Sequence, residues 1–258
     1  MPNEEFHRIA NAPGELHVER TAGAAMKRMF VPTRSGSDWQ RLLATPVLHW
    51  KKGASAMTTA AAWEAAADRL PLEVSALLDL SKDAALQSLE LLAAIPEWEV
   101  PLEGGETASH TDVLALCTND SGLCVIAVEG KVNEDFGPSL GEKKTNASKG
   151  QDARLKYLQT LLGVSSLEDT IRYQLLHRAA SALLTAREFH AKTAVMLIHS
   201  FGSKPNLRTD FDRFCTALKA REISPGLYSV PSFEVPRLFL AWCDGDKQFL
   251  DVELPRGL

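Results

Sequence analysis

Apolar residues recur along this chain in different rhythms, and each change of rhythm marks a change of element. Over the first fifty residues no rhythm persists, because Pro13, Gly14, Gly23, Pro32 and the run Ser35, Gly36, Ser37 interrupt the apolar stretches. Short irregular elements are expected there, with a helix around 39–43. From 58 to 92 the spacing is helical. Ala60, Ala61, Ala62, Ala65, Ala66 and Ala67 surround Trp63; alanine is the strongest helix former, and Pro71 ends or redirects the run. Ser81, with Asp83 in the following turn and Ala85, Leu86, Leu89, Leu92 and Ala93 at helical spacing, predicts a capped helix over 81–93. Past Pro96 the period falls to two. A short strand over 98–102 stops at Gly104 and Gly105, and 110–118 alternates up to the turn formers Asn119, Asp120, Ser121 and Gly122. The stretch 123–132 is then almost continuously apolar and β-branched, so the two segments read as a hairpin.

A polar stretch over 133–150 contains Gly137, Pro138, Gly141, Lys143, Lys144, Lys149 and Gly150. It is longer than ordinary connections, and such loops are commonly functional or disordered. Leu155, Leu158 and Leu162 line one side of a helix over 151–162 that Gly163 stops. Ser165 or Ser166, with Glu168 and Asp169 three residues on, predicts a capping box and a second helix reaching about 189. The apolar run 193–198 reads as a strand covered on both faces. A helix over 209–219 follows, then strands over 238–243 and 249–252 on either side of Asp244, Gly245 and Asp246. The predicted order is helices, three strands, two helices, strand, helix, two strands, which is an α/β chain without internal repeats.

Composition narrows the function class. At 258 residues, 45% hydrophobic and 24% charged, the chain can bury one large core or an α/β core with a helical extension. No apolar run approaches the roughly 20 residues that a membrane-spanning helix needs, and the start, Met1, Pro2, Asn3, Glu4, Glu5, lacks a basic and apolar leader. No membrane partner and a cytoplasmic location are expected. Cys117, Cys124, Cys215 and Cys243 stand singly, without zinc spacing, and read as buried small hydrophobes. A net charge of -5 argues against nonspecific coating of nucleic acid, which needs many cations, yet leaves room for a local basic cleft.

The chemistry sits on the hairpin. With its turn centred between Asp120 and Ser121, Thr118 faces Leu123, Cys117 faces Cys124, and counting back places Asp112 opposite Glu129. Opposed residues project from the same side of a sheet, and Lys131, two positions beyond Glu129, shares that side. Two carboxylates so close repel, so one holds a proton unless a cation lies between them. Oxygen ligands of this kind suit a hard ion, Mg²⁺ or Mn²⁺. The abrupt change from Val125, Ile126, Ala127 and Val128 to Glu129, Gly130 and Lys131 puts charge at the end of a buried strand, at a desolvation cost that something must offset.

An Asp at the start of one strand and Glu-x-Lys at the end of the next resemble the PD-(D/E)XK nuclease superfamily, over roughly 72–201. The resemblance implies a restriction-endonuclease-like core of helix, three strands, helix, strand, here with an N-terminal extension over 1–71 and extra C-terminal strands in a domain over 72–258. It implies that Asp112 and Glu129 bind the metal, that Lys131 assists the attacking water, and that the product is a cleaved phosphodiester, DNA more than RNA. Gly130 is the variable middle position. Thr111 stands where many members have Pro, while Glu64 or Glu90 and Gln174 are positional candidates for further motif residues. A homodimer is compatible with this reading. The rival is a noncatalytic binding protein that keeps the fold, with Asp112, Glu129 and Lys131 an ordinary cross-strand ion cluster.

Other residues divide between function and packing. Gln174 and Arg178, one helical turn apart, can approach phosphate from above the site, or simply be solvated. Lys143 and Lys144 can grip a nucleic-acid backbone or keep their loop soluble. His199 ends the apolar strand without an acidic partner assignable from sequence, and reads as structural. Trp39, Trp50 and Trp63 read as packing anchors rather than a base-stacking surface. No GxxxxGK[ST] or GxGxxG phosphate loop is present.

Overall fold

A computed structural model describes residues 36–255 except 44, 106, 146 and 203. The breakers expected at Pro13, Gly14, Gly23, Pro32 and Ser35 lie outside the described residues. The hairpin forms as the alternation requires: β2 (Ser109–Asn119) and β3 (Gly122–Lys131) pair antiparallel, with Thr118 opposite Leu123 and Cys117 opposite Cys124 across the turn at Asp120 and Ser121. β1 (Glu90–Val100) adds to the outer side of β2. On the other side β3 pairs parallel with β4 (Thr193–Ser200), which pairs parallel with β7 (Arg237–Asp244). The antiparallel strands β6 (Leu227–Val230) and β5 (Arg221–Ser224) close the row. The mixed sheet therefore runs β1-β2-β3-β4-β7-β6-β5.

A parallel neighbour requires a crossover, and the 133–192 segment supplies it with α4 (Leu140–Lys144), α5 (Lys149–Leu161) and α6 (Tyr173–Glu188). α7 (Pro205–Ala217) follows β4. These helices cover one sheet face, where Val125 and Ala127 meet Leu158, Leu175, Ala179 and Phe211. The opposite face carries Ile126 and Val128, packed with Trp39, Trp50, Met57, Trp63, Val74 and Leu78. Those residues come from a 3-10 helix (Gly36–Leu42), α1 (Pro46–His49), α2 (Ser55–Ala66), α3 (Leu72–Leu80) and the segments joining them. The three tryptophans are buried core, as packing anchors should be. The result is a three-layer mixed α/β fold.

The helix expected over 81–93 is absent. The chain turns through 81–89, with Lys82 and Ser88 at φ 56 and 52, and then enters β1. Several contacts hold the turn: the Ser88 amide donates to Asp79 at 2.7 Å, and the Arg237 guanidinium forks onto both Asp83 oxygens at 2.9 and 2.7 Å. A short apolar run such as 91–95 satisfies either period, and pairing with β2 decides it. Pro96 fits because β1 is the sheet edge, where a missing amide donor is tolerated. The capping box expected at Ser165 or Ser166 is also absent, and α6 begins only at Tyr173. The boxes that form are Ser139 with Glu142 and Ser148 with Gln151, inside the stretch read as a loop. The expected strand over 249–252 is replaced by a 3-10 helix (Lys247–Asp251), and its place is taken by the β5–β6 hairpin, which turns through Gly226 at φ 80.

Candidate active site: an acidic row across three strands

The register of β2 and β3 ends with Val113 opposite Val128, so the next pair outward is Asp112 and Glu129. On the other side, Pro96 faces Val113 and Trp98 faces Thr111, which sets Glu97 beside Asp112. Three neighbouring strands thus each contribute one carboxyl group at the same level. Alternation along β3 turns Glu129 and Lys131 toward α6, and their side chains are only 4% and 5% exposed. Gly130 faces the other way, against α2: a Cβ there would lie 1.9 Å from Thr59 Oγ1. The middle position is glycine because a helix crosses it.

Glu129 is the most heavily bonded member. Its Oε1 accepts from Lys131 Nζ at 2.8 Å and from Gln174 Nε2 at 2.7 Å, while its Oε2 accepts from Arg178 Nε. Lys131 also donates to Gln174 Oε1 at 3.0 Å and lies 5.2 Å from the centre of the Phe136 ring. Arg178 Nη1 donates to Ser109 Oγ at 2.8 Å, and that hydroxyl is 2.9 Å from His177 Nδ1. Asp112 accepts from the Gly130 amide at 2.7 Å through Oδ2; its other oxygen accepts no hydrogen bond among the described residues. Glu97, at φ 52, has no hydrogen-bond partner or ion pair among the described residues.

These surroundings separate three chemically similar groups. Burial raises the pKa of Glu129, but Arg178 and Lys131 outweigh it and hold the carboxyl down at about 2. Burial also raises Asp112, and the Glu129 charge adds to it; Arg178, Lys131 and the Gly130 amide offset only part, leaving it at about 7. Glu97 is pushed up to about 9 by burial and then by Asp112, with Arg178 opposing and Glu129 adding. With all three acids ionised the row would hold three negative charges against two cations, one positive charge short; the protons kept by Glu97 and Asp112 make up that difference.

A hard divalent cation would supply that charge, and the donor set fits it in part. Asp112 and Glu97 are acidic, poorly compensated and free to coordinate. Glu129 can join them through Oε2, which accepts from Arg178 alone, more readily than through Oε1, which both Lys131 and Gln174 hold. As the side chains stand, no group of three or more His, Cys, Asp or Glu among the described residues closes on a metal position. Two carboxylates plus substrate phosphate are nevertheless enough for Mg²⁺.

Asp112, Glu129, Lys131, Gln174 and Arg178 are brought together, although Gln174 and Arg178 bind Glu129 rather than standing clear above it. Lys143 lies 5.0 Å from the centre of the Tyr173 ring on the α6 side, whereas Lys144 pairs with Asp169 at 2.6 Å. Glu64 accepts from the Trp39 indole at 2.8 Å and Glu90 is exposed opposite Thr118, so neither reaches the row. Sequence reasoning missed Glu97, Ser109 and His177. The only available signal for Glu97 was an acid directly after Pro96 in an apolar stretch. His199 is fully buried: Trp63 Nε1 donates to its Nδ1 at 3.3 Å, which leaves Nε2 to carry the proton toward Glu73, 3.0 Å away. That is the structural role expected of it, with a partner that only the fold reveals.

No helix among the described residues is long and apolar enough to cross a membrane. A family described as Domain of unknown function (DUF6946) matches residues 32–247, a span that takes in the seven strands found among the described residues. No curated protein and no solved structure matches the chain.

Proposed function

We propose that this chain, which belongs to the DUF6946 family, is a divalent-metal-dependent nuclease hydrolysing phosphodiester bonds, those of DNA in preference to RNA. The observation that carries this reading is the row of opposed carboxyls: Asp112 beside Glu129, with Lys131 on the same side, in a cluster that is one positive charge short once all three of its acids are ionised. The order of α3, a three-strand meander, the crossover helices and a parallel β4 agrees with the restriction-endonuclease-like core that the resemblance to PD-(D/E)XK nucleases implies. Asp112 and Glu129 would hold Mg²⁺ or Mn²⁺, with Glu97 as a third acid. When bound, such an ion supplies Lewis acidity toward a phosphodiester and lowers the pKa of water. The chain's own residues do the rest. Gln174 orients Glu129 and Lys131 together, since one amide bonds both. Lys131, held at a fixed point by those bonds, places its ammonium where negative charge develops at phosphorus. Asp112, raised toward neutrality, is the acid of the row that changes protonation near physiological pH.

A second reading, a noncatalytic binding protein on the same fold, is favoured by one observation: both Glu129 oxygens are already engaged by Arg178, Lys131 and Gln174. One experiment separates the two. Plasmid, linear and single-stranded DNA and RNA are incubated with and without Mn²⁺, using the native protein, Asp112→Ala, Glu129→Ala and Lys131→Ala. Metal-dependent cleavage that all three variants lose, with the Asp112→Ala fold intact by circular dichroism, is expected. Cleavage that persists in Asp112→Ala refutes the site, and no cleavage together with no thermal shift at millimolar Mg²⁺ or Mn²⁺ supports the noncatalytic reading.

A further inference from the structure

Next to the acidic row lies a cavity of about 360 Å³, within the usual range of about 300–1,000 Å³ for ligand sites. Its walls come from the connection between β1 and β2, the end of α4, the start of α5 and the first turns of α6. Three glycines bring those walls together. A Cβ on Gly104 would lie 2.4 Å from the Arg154 nitrogen, one on Gly105 2.9 Å from Arg154 Nη2, and one on Gly150 3.0 Å from the Gly104 carbonyl oxygen. Gly104 also sits at φ 84, where a side chain is strained. The connection therefore lies directly on α5, and Arg154 ties it down by donating to the Leu102 and Glu103 carbonyls at 3.1 and 3.2 Å.

The charge in this cavity has one sign. Arg154 and Lys143 both line it, with the Tyr173 hydroxyl, and none of its described lining residues is acidic. Burial and then Arg178 hold the His177 pKa down at about 3, with Glu129 opposing and Arg154 and Lys143 adding smaller pushes downward, so the imidazole is neutral and leaves anion binding to the two cations. One wall of the cavity is linked to the acidic row by hydrogen bonds. Ser109 and His177 line the cavity, and the same Ser109 hydroxyl accepts from Arg178, which contacts Glu129.

We infer that this cavity is a phosphate subsite for a nucleic-acid strand, in which Lys143 and Arg154 hold the backbone phosphate adjoining the bond presented to Asp112 and Glu129. The position of that bond rests on the nuclease reading; the binding does not. The test is fluorescence anisotropy of a short labelled single-stranded DNA in EDTA, so that cleavage plays no part. Lys143→Gln is expected to bind about tenfold more weakly than the native protein. The slope of log affinity against log salt should fall by about 0.7 for the one cation removed. Lys52→Gln, a cation outside the cavity, should bind as the native protein does. Equal affinity and slope in Lys143→Gln overturn the inference, as does a native protein that binds inorganic phosphate but no DNA. Weakened binding by Lys143→Gln in a protein that cuts nothing keeps the subsite and ends the nuclease reading. Cleavage by the native protein with undiminished binding by Lys143→Gln does the opposite.

Discussion

Asp112 and Glu129 stand side by side on adjacent strands, yet their neighbours give them opposite titration behaviour. Two buried cations hold Glu129 ionised, whereas Asp112 and Glu97 share what compensation is left and keep their protons longer than carboxyls in water. The consequence for stability has a definite sign. Between their unfolded values of 3.8 and 4.5 and their folded values of about 7 and about 9, Asp112 and Glu97 bind more protons in the native state. Their contribution is therefore fully present below about pH 4 and is lost as pH rises through the folded values. Glu129 acts in the other direction, but only as pH falls below about 4.5 toward about 2. The free energy of urea unfolding in EDTA is thus expected to decline from about pH 5 to pH 9, with a shallower decline in Asp112→Asn, which removes one titrating group and the main charge acting on Glu97. A flat native profile would show that the row is already neutralised. At this scale Asp112, Glu129 and Lys131 were legible by counting from the turn. Glu97 was not, because its placement depends on the pairing of β1 with β2 and on a left-handed backbone next to Pro96.

At the scale of elements, the crossing of α2 over β3 decides what the Glu-Gly-Lys segment can be. Gly130 has no room for a side chain against Thr59, and the Thr59 hydroxyl is buried without a hydrogen-bond partner among the described residues, so removing it sacrifices little. Gly130→Ala is expected to destabilise by about 1–3 kcal/mol through overpacking, and Thr59→Ala in the same chain to recover part of that. Equilibrium denaturation of the two single variants and the double variant measures the coupling; strictly additive costs would mean that α2 is not the obstacle. The hairpin was legible because strong turn formers separate its two runs, and β4 because its continuous apolar run is too short for an ordinary helix and carries β-branched residues. The 81–93 segment was misread because its helical spacing is equally consistent with a strand, and the alternative turn is held by Asp79, just before it, and by Arg237, which is distant in sequence. Helix starts at Ser139 and Ser148 went unread because the charged residues around them resembled a loop.

At the scale of the whole molecule, the described residues from Gly36 to Pro71 build, with α3, one of the three layers. Trp39, Trp50, Met57 and Trp63 cover the sheet face that carries Val113, Ile126 and Val128. A truncated chain beginning at Leu72 would expose that face, and it is expected to be insoluble or to lose the sharp thermal transition of the full chain, measured by near-ultraviolet circular dichroism during heating. A soluble truncated chain with a native-like transition would make those residues dispensable. The sequence alone determined the α/β class, the hairpin register and the side of the sheet on which Asp112, Glu129 and Lys131 meet, because period-two alternation and turn position are local properties of the chain. Only the tertiary structure decided that Arg178 and Gln174 close on Glu129, that Glu97 completes the row, and that Gly104, Gly105 and Gly150 shape a basic cavity beside it. Those outcomes depend on how a helix, an edge strand and a loop distant along the chain are packed, and packing is a balance of burial, charge and close contact that no local spacing encodes.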